Sequence, residues 1–130
     1  MASNRFTQFT SFPKRLAHSW QHSNSMLCVG LDPDVSRMPE GYGTSPAEIE
    51  RFCMEIVKAT AEFACAFKPQ IAYFAANRAE AALENILAYA NEIAPHATTI
   101  LDAKRGDIGA TAKQYAIEAF ERYKADSVTL

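Results

Sequence analysis

The sequence lacks a long apolar run, a strong net charge and a cysteine cluster, and each absence narrows the range of functions. No apolar run approaches the roughly 18–20 residues that a membrane-spanning helix needs. The formal net charge of −2 offers no electrostatic attraction for nucleic acid or an anionic membrane. The cysteines are widely spaced without a C-x-x-C pair, which predicts core residues in a reducing compartment rather than disulfides or a zinc site at Cys28, Cys53 and Cys65.

Acidic residues are also missing from the start of the chain, where the first carboxylate is Asp32. Serine and threonine are frequent before it, and the basic residues there are Arg5, Lys14 and Arg15. This composition is typical of a transit peptide. An amphipathic leading helix is the alternative, with apolar side chains spaced by four at Phe12, Leu16 and Trp20. No apolar segment of a secretory signal is present, so we expect a cytoplasmic protein.

Strand and helix patterns alternate through the rest of the 130 residues, which are 48% hydrophobic and 22% charged. That composition is typical of one small globular domain. Ser45 and Glu48 form a capping box at the start of one helix, and Asn77 is expected to cap the next. A leading helix followed by a β-α-β-α-β-α-β order predicts a parallel α/β sheet, with strands at 25–32, 64–70, 98–104 and 125–130.

Charged residues stand where the predicted strands end. Asp102 and Lys104 are two residues apart on the third strand and therefore share one face. Asp32 ends the first strand and Lys68 lies near the end of the second. Parallel α/β proteins hold their ligands at this carboxyl edge, so the pattern predicts a functional site. A rim of structural ion pairs is the alternative, and Asp107, beyond the turn, also fits a helix N-cap.

Three stretches of the chain, "LCVGLDPD", "AFKPQIAYF" and "LDAKRGDIGATAKQYA", resemble the orotidine 5′-phosphate decarboxylase family, specifically its long bacterial-type branch. The D-x-K-x-x-D pattern within the third stretch is shared with a wider group of phosphosugar decarboxylases and aldolases. All three stretches in order, with the correct gaps, are far more specific. The resemblance extends from about Phe12 to Leu130.

The resemblance implies a dimeric (β/α)8 TIM barrel that converts orotidine 5′-monophosphate to uridine 5′-monophosphate without a metal or an organic cofactor. The resemblance implies that Lys104 of this chain would give the proton to carbon 6. It also implies that Asp102 would lie against the substrate carboxylate. Asp32 and Lys68 would hold the ribose hydroxyls, with Lys68 also in the catalytic charge network. The second subunit would donate three residues of the loop beyond the third strand to each pocket, namely Asp107, Ile108 and Thr111.

A complete barrel of this kind needs about 250 residues, with about 200 near the lower limit. We therefore expect residues 1–130 to be the N-terminal half of a single barrel domain, with the first four strands and a leading helix. The family's phosphate-binding elements follow strands seven and eight, so activity of this chain alone is not expected. The alternatives are a related phosphosugar decarboxylase or aldolase using magnesium, against which "GLDPD" and "KPQ" count, and a non-catalytic half-barrel.

Overall fold

A computed structural model describes Phe9 and residues 11–130. The strands of the chain are β1 Leu27–Leu31, β2 Ala64–Pro69, β3 Thr98–Leu101 and β4 Ser127–Val128. The α-helices are α1 Phe12–Ser23, α2 Pro46–Thr60, α3 Ile71–Ala76, α4 Glu80–Ile93 and α5 Gly109–Ala116. A 3₁₀ turn covers Val35–Arg37, and a π-helical segment, Ile117–Arg122, continues directly from α5.

The four strands form one parallel sheet in the order β1-β2-β3-β4. The register pairs Gly30 with Lys68 and Leu101 with Val128. Parallel neighbours with a helix in each crossover are the arrangement of an α/β barrel. The predicted alternation of strands and helices around a parallel sheet is thus confirmed.

The third strand is shorter than the sequence predicts. β3 ends at Leu101, and Asp102 then makes a single isolated bridge with Gln70. Two residues later Lys104 has a φ of +50°, which lies in the left-handed region and is incompatible with a continuing strand. The predicted strand over 98–104 therefore becomes a strand followed by a turn.

Of the two helix caps predicted from the sequence, the structure confirms one and contradicts the other. Ser45 caps α2, because its side chain accepts a hydrogen bond from the Glu48 N–H. The predicted cap at Asn77 is wrong: α4 begins at Glu80, and Asn77 instead ends the short helix α3. That helix was not predicted; Gln70 begins it by accepting a hydrogen bond from the backbone N–H of Ala72.

The core lies between the sheet and its helices, with α2 packed against α4. Fully buried residues of this layer include Ile49, Val57, Phe67, Phe74, Leu83, Ile86, Leu87 and Leu101. α2 ends at Thr60, and Phe63, three residues beyond its end, is 57% exposed. Within the described part of the chain, no helix is long and apolar enough to cross a membrane.

The leading helix α1 docks through polar side chains. The Arg15 guanidinium donates to the carbonyls of Pro95, His96 and Ala97, just before β3. Ser19 is fully buried and donates to the His96 carbonyl at 2.6 Å. The apolar side chains predicted along one face of this helix are not all buried, since Phe12 and Trp20 are exposed. α1 therefore covers the amino-terminal end of the sheet, opposite the strand-end charges. Arg5, which suggested a transit peptide, lies outside the described residues.

We expect the 130-residue chain, expressed by itself, to self-associate through the open edge of β1. Leu27 on that edge is 46% exposed, and its neighbour Met26 is also exposed. An apolar strand with unpaired backbone groups recruits another chain. Sedimentation at micromolar concentration should show oligomers or aggregates, and Leu27→Lys should reduce them. Ala59→Lys, on the exposed surface of α2, is the matched control and should leave the degree of association unchanged. A compact wild-type monomer would contradict the prediction.

Candidate active site

Asp102 stands at the carboxyl end of β3, where the backbone fixes it. Its N–H donates to the Pro69 carbonyl at 2.9 Å, and its carbonyl accepts from the Ile71 N–H at 3.1 Å. These bonds extend the pairing with β2 by one residue, so the position of the Asp102 side chain is set by the sheet. The side chain is only 11% exposed.

Two lysines hold this carboxylate between them. Lys68 Nζ, from the end of β2, lies 3.1 Å from Asp102 Oδ2, and Lys104 Nζ lies 2.6 Å from Asp102 Oδ1. Lys68 is 34% exposed and Lys104 is 67% exposed on its side chain. The two ammonium groups flank the one carboxylate on either side, so Asp102 is held by opposite charge from both neighbouring residues.

The charges shift the pKa of Asp102 and the pKa of Lys68 in opposite directions. Hydrogen bonds from Lys104 and then from Thr129 hold the pKa of the Asp102 carboxyl well below its usual range, and Lys68 adds to the effect. The hydrogen bond to Asp102 raises the pKa of Lys68, with a further attraction from Asp32 at the end of β1. Three neighbouring strand ends thus contribute to one electrostatic cluster, as the sequence predicted.

Lys104 reaches Asp102 by a route different from the predicted one. The prediction relied on extended backbone, where residues two apart share a face. Lys104 instead lies in a left-handed turn, and its backbone N–H donates to the Thr129 hydroxyl at 3.1 Å. The two side chains meet because this turn curls back over the strand end.

The loop after Lys104 is anchored to the π-helical segment. Arg105 Nε lies 2.7 Å from Glu118 Oε2, and its guanidinium stacks over the Tyr115 ring. The Arg105 N–H also donates to the Thr129 carbonyl. α5 itself has no buried residue, and Ala119 is the buried residue of the π-helical segment that continues from it.

The other predicted site residues do not join the cluster in the single chain. Asp107 accepts a hydrogen bond from the N–H of Ile108 at 2.7 Å, and within the described residues it forms no ion pair with Lys104. Ile108 is 87% exposed, and Thr111 is exposed on α5. The alternative of Asp107 as a helix cap is wrong, because Ile108 occupies the N-cap position of α5 without a side-chain bond.

Thr129 is the site residue that the sequence analysis missed. Its hydroxyl donates to Asp102 Oδ1 at 2.8 Å, directly after the end of β4. A hydroxyl at the carboxyl end of the fourth strand, level with the other strand-end polar residues, was the signal available in "ADSVTL". In the described residues, no group of three or more His, Cys, Asp or Glu side chains is arranged to hold a metal ion.

Comparisons with known proteins identify the family of this chain. Residues 25–130 match the family model described as "Orotidine 5'-phosphate decarboxylase / HUMPS family". The orotidine 5′-phosphate decarboxylase of Ralstonia nicotianae is 60% identical over 119 residues, which are 92% of this chain and 44% of that protein. The chain therefore spans less than half the length of this relative.

Solved structures show the same fold. A protein of Toxoplasma gondii assigned as an orotidine-monophosphate-decarboxylase superposes with a TM-score of 0.80 and 38% identity, over 91% of this chain and 39% of that one. The Leishmania donovani OMP decarboxylase gives a TM-score of 0.74 and 34% identity, over 92% of this chain and 43% of that one. The four parallel strands are thus a partial (β/α)8 barrel, and the chain belongs to the orotidine 5′-phosphate decarboxylase / HUMPS family.

Proposed function

We propose that this chain supplies the decarboxylating centre of an enzyme that converts orotidine 5′-monophosphate to uridine 5′-monophosphate and carbon dioxide, in pyrimidine biosynthesis. The observation that carries the proposal is the Asp102 carboxylate held at a strand end between Lys68 and Lys104. The likeness to relatives named for this reaction supports the choice of substrate.

Lys104 is the proposed proton donor. Breaking the bond between carbon 6 and the carboxylate leaves an electron pair on carbon 6 in the plane of the ring, with no conjugated group to take it. An ammonium fixed beside carbon 6 stabilises that charge and then transfers its proton there, while carbon dioxide leaves. Lys104 regains a proton from solvent after the product departs. Its short bond to Asp102 fixes the ammonium, and its partial exposure leaves it accessible to a substrate.

Asp102 is the proposed neighbour of the substrate carboxylate. The lysines keep it ionised, so a bound carboxylate would face a fixed negative charge that is relieved as neutral carbon dioxide forms. The ammonium groups of Lys68 and Lys104 attract the negatively charged substrate, while the Asp102 carboxylate opposes the carboxylate that is to leave.

The remaining roles belong to the ends of the first two strands and to a second subunit. Asp32 and Lys68 are proposed to hold the ribose hydroxyls, since their charges interact at adjacent strand ends. Asp107, Ile108 and Thr111 are proposed to complete the pocket of the partner subunit in a cytoplasmic homodimer. Ile108 is 87% exposed, so its side chain is available to contact a second subunit.

The test uses residues 1–130 joined in frame to the segment of the Ralstonia nicotianae relative that follows the matched region, called here the completed fusion. It should release carbon dioxide from orotidine 5′-monophosphate, and a chelator should leave the rate unchanged. The relative's segment alone is the control and should be inactive. Inactivity of the folded fusion would contradict the proposal, as would magnesium-dependent turnover of a phosphosugar instead. One cooperative unfolding transition is expected if residues 1–130 are half of a single domain.

The ionised state of Asp102 gives a pH dependence of stability. Its pKa is depressed in the folded protein, so its stabilising contribution is complete above the unfolded pKa of about 3.9 and is lost as the pH falls through the folded value. Asp102→Asn in the completed fusion should cost about 1–3 kcal/mol at pH 7. In urea unfolding, that difference should shrink below about pH 4. A constant difference, or one like that of the exposed control Glu121→Gln, would contradict the assignment.

A further inference from the structure

One hydroxyl group at the end of β4 contacts both charged residues of the β3 end. Thr129 Oγ1 donates to Asp102 Oδ1 at 2.8 Å. The same oxygen lies 3.1 Å from the backbone nitrogens of Ala103 and of Lys104, and accepts from both. A hydroxyl has one donor and two acceptor sites, so these three bonds use its full capacity.

The sheet fixes the position of this hydroxyl. The Thr129 N–H donates to the Leu101 carbonyl at 3.0 Å, and its carbonyl accepts from the Arg105 N–H at 3.3 Å. The preceding residue, Val128, is paired with Leu101 in the ladder between β3 and β4. Thr129 therefore has little freedom to move relative to the turn that it contacts.

The hydrogen bonds of the Thr129 hydroxyl act at a turn whose backbone conformation is unfavourable. Lys104 adopts φ +50°, and a non-glycine residue held in this region costs of the order of 1–3 kcal/mol. An acceptor for two consecutive N–H groups offsets that cost and defines the turn. The hydroxyl also orients the Asp102 carboxylate so that Oδ1 faces Lys104 Nζ and Oδ2 faces Lys68 Nζ.

We propose that Thr129 is a positioning residue, whose hydroxyl fixes the Asp102 carboxylate and the Lys104 backbone together and so sets where the Lys104 ammonium lies. It acts through these two residues and needs no contact with substrate. The role in turnover rests on the proposed function, whereas the role in holding the turn does not. Thr129 is also the second-largest cause of the low pKa of Asp102, after Lys104.

The test compares Thr129→Val with Thr129→Ser in the completed fusion. Valine keeps the β-branched shape without the hydroxyl, and serine keeps the hydroxyl. For orotidine 5′-monophosphate, Thr129→Val should lower kcat roughly 10–100-fold with little change in KM, because a misplaced catalytic group costs about that factor. Thr129→Ser should restore most of the rate. Thr60→Val is the control, since the Thr60 hydroxyl donates to carbonyls within α2, far in the fold from the strand ends.

Amide hydrogen exchange separates the positioning role from the proposed reaction. Thr129→Val should speed exchange of the Ala103 and Lys104 amides about tenfold, as expected for a lost hydrogen bond. Exchange of the Thr129 amide, which bonds to the Leu101 carbonyl, should not change. If the wild-type fusion turns over no substrate, the proposed function fails and the exchange result still decides the positioning role. Unchanged exchange at these amides, a loss confined to KM, or equal rates for the valine and serine variants would overturn it.

Discussion

Lys104→Ala in the completed fusion is expected to lower kcat for orotidine 5′-monophosphate by about 10⁴-fold or more. If Lys104 has the proposed role, the variant loses both the cation that stabilises the charge on carbon 6 and the proton that ends the reaction, and each effect alone contributes about 10²-fold or more. Substrate affinity should fall much less, because Lys68 remains beside Asp102. Steady-state measurement of carbon dioxide release gives kcat and KM separately.

Lys113→Ala is the matched control for this variant. Lys113 is an exposed lysine on α5, outside the lysine–aspartate cluster, and its removal should leave both kinetic constants unchanged. Decarboxylation by Lys104→Ala within tenfold of the unmodified fusion would exclude Lys104 as the proton donor. An equal loss in the Lys113 variant would point to a general effect of removing positive charge.

Mixing inactive Asp107→Ala and inactive Lys104→Ala subunits of the completed fusion is expected to restore activity. Asp107 forms no ion pair with Lys104 within the chain, and the loop that carries it is exposed. If Asp107 serves the partner's site, each mixed dimer contains one site with both residues intact and one site lacking both. A mixed dimer should therefore show about half the activity of the unmodified dimer, because one of its two sites has all of its residues.

Two affinity tags, one on each variant, allow mixed dimers to be purified and their composition to be verified. The two homodimers carry the same tags as controls and should remain inactive. Verified mixed dimers without activity would show that Asp107 serves its own chain. A monomeric fusion with full activity would also contradict a site shared between subunits.

The order of strands and helices could be predicted because hydrophobic periodicity and capping residues are local signals. Ser45 caps α2 as expected, since its bond to Glu48 depends only on neighbours in sequence. The cap expected at Asn77 failed because Gln70 starts an extra short helix that ends at Asn77. Both Gln70 and Asn77 can cap a helix, and their propensities alone do not show which of the two will do so.

The site was partly predictable for a related reason. Asp32, Lys68 and Asp102 follow from strand ends, which the sequence locates well. The turn at Lys104 depends on a hydroxyl supplied 25 residues later by Thr129, so residue spacing within one strand gives no sign of it. The polar docking of α1 could not be predicted for the same reason, because the carbonyls that accept from Arg15 lie about 80 residues away in the sequence.

The most direct test of the central claim is exchange of the hydrogen on carbon 6 of uridine 5′-monophosphate with deuterium oxide. If Lys104 donates the proton in decarboxylation, the neutral amine removes the same proton from the product in the reverse direction. Proton NMR should show loss of the carbon 6 hydrogen signal with the completed fusion and none with Lys104→Ala. Equal exchange by the two proteins, or none by a fusion that decarboxylates its substrate, would contradict the role of Lys104.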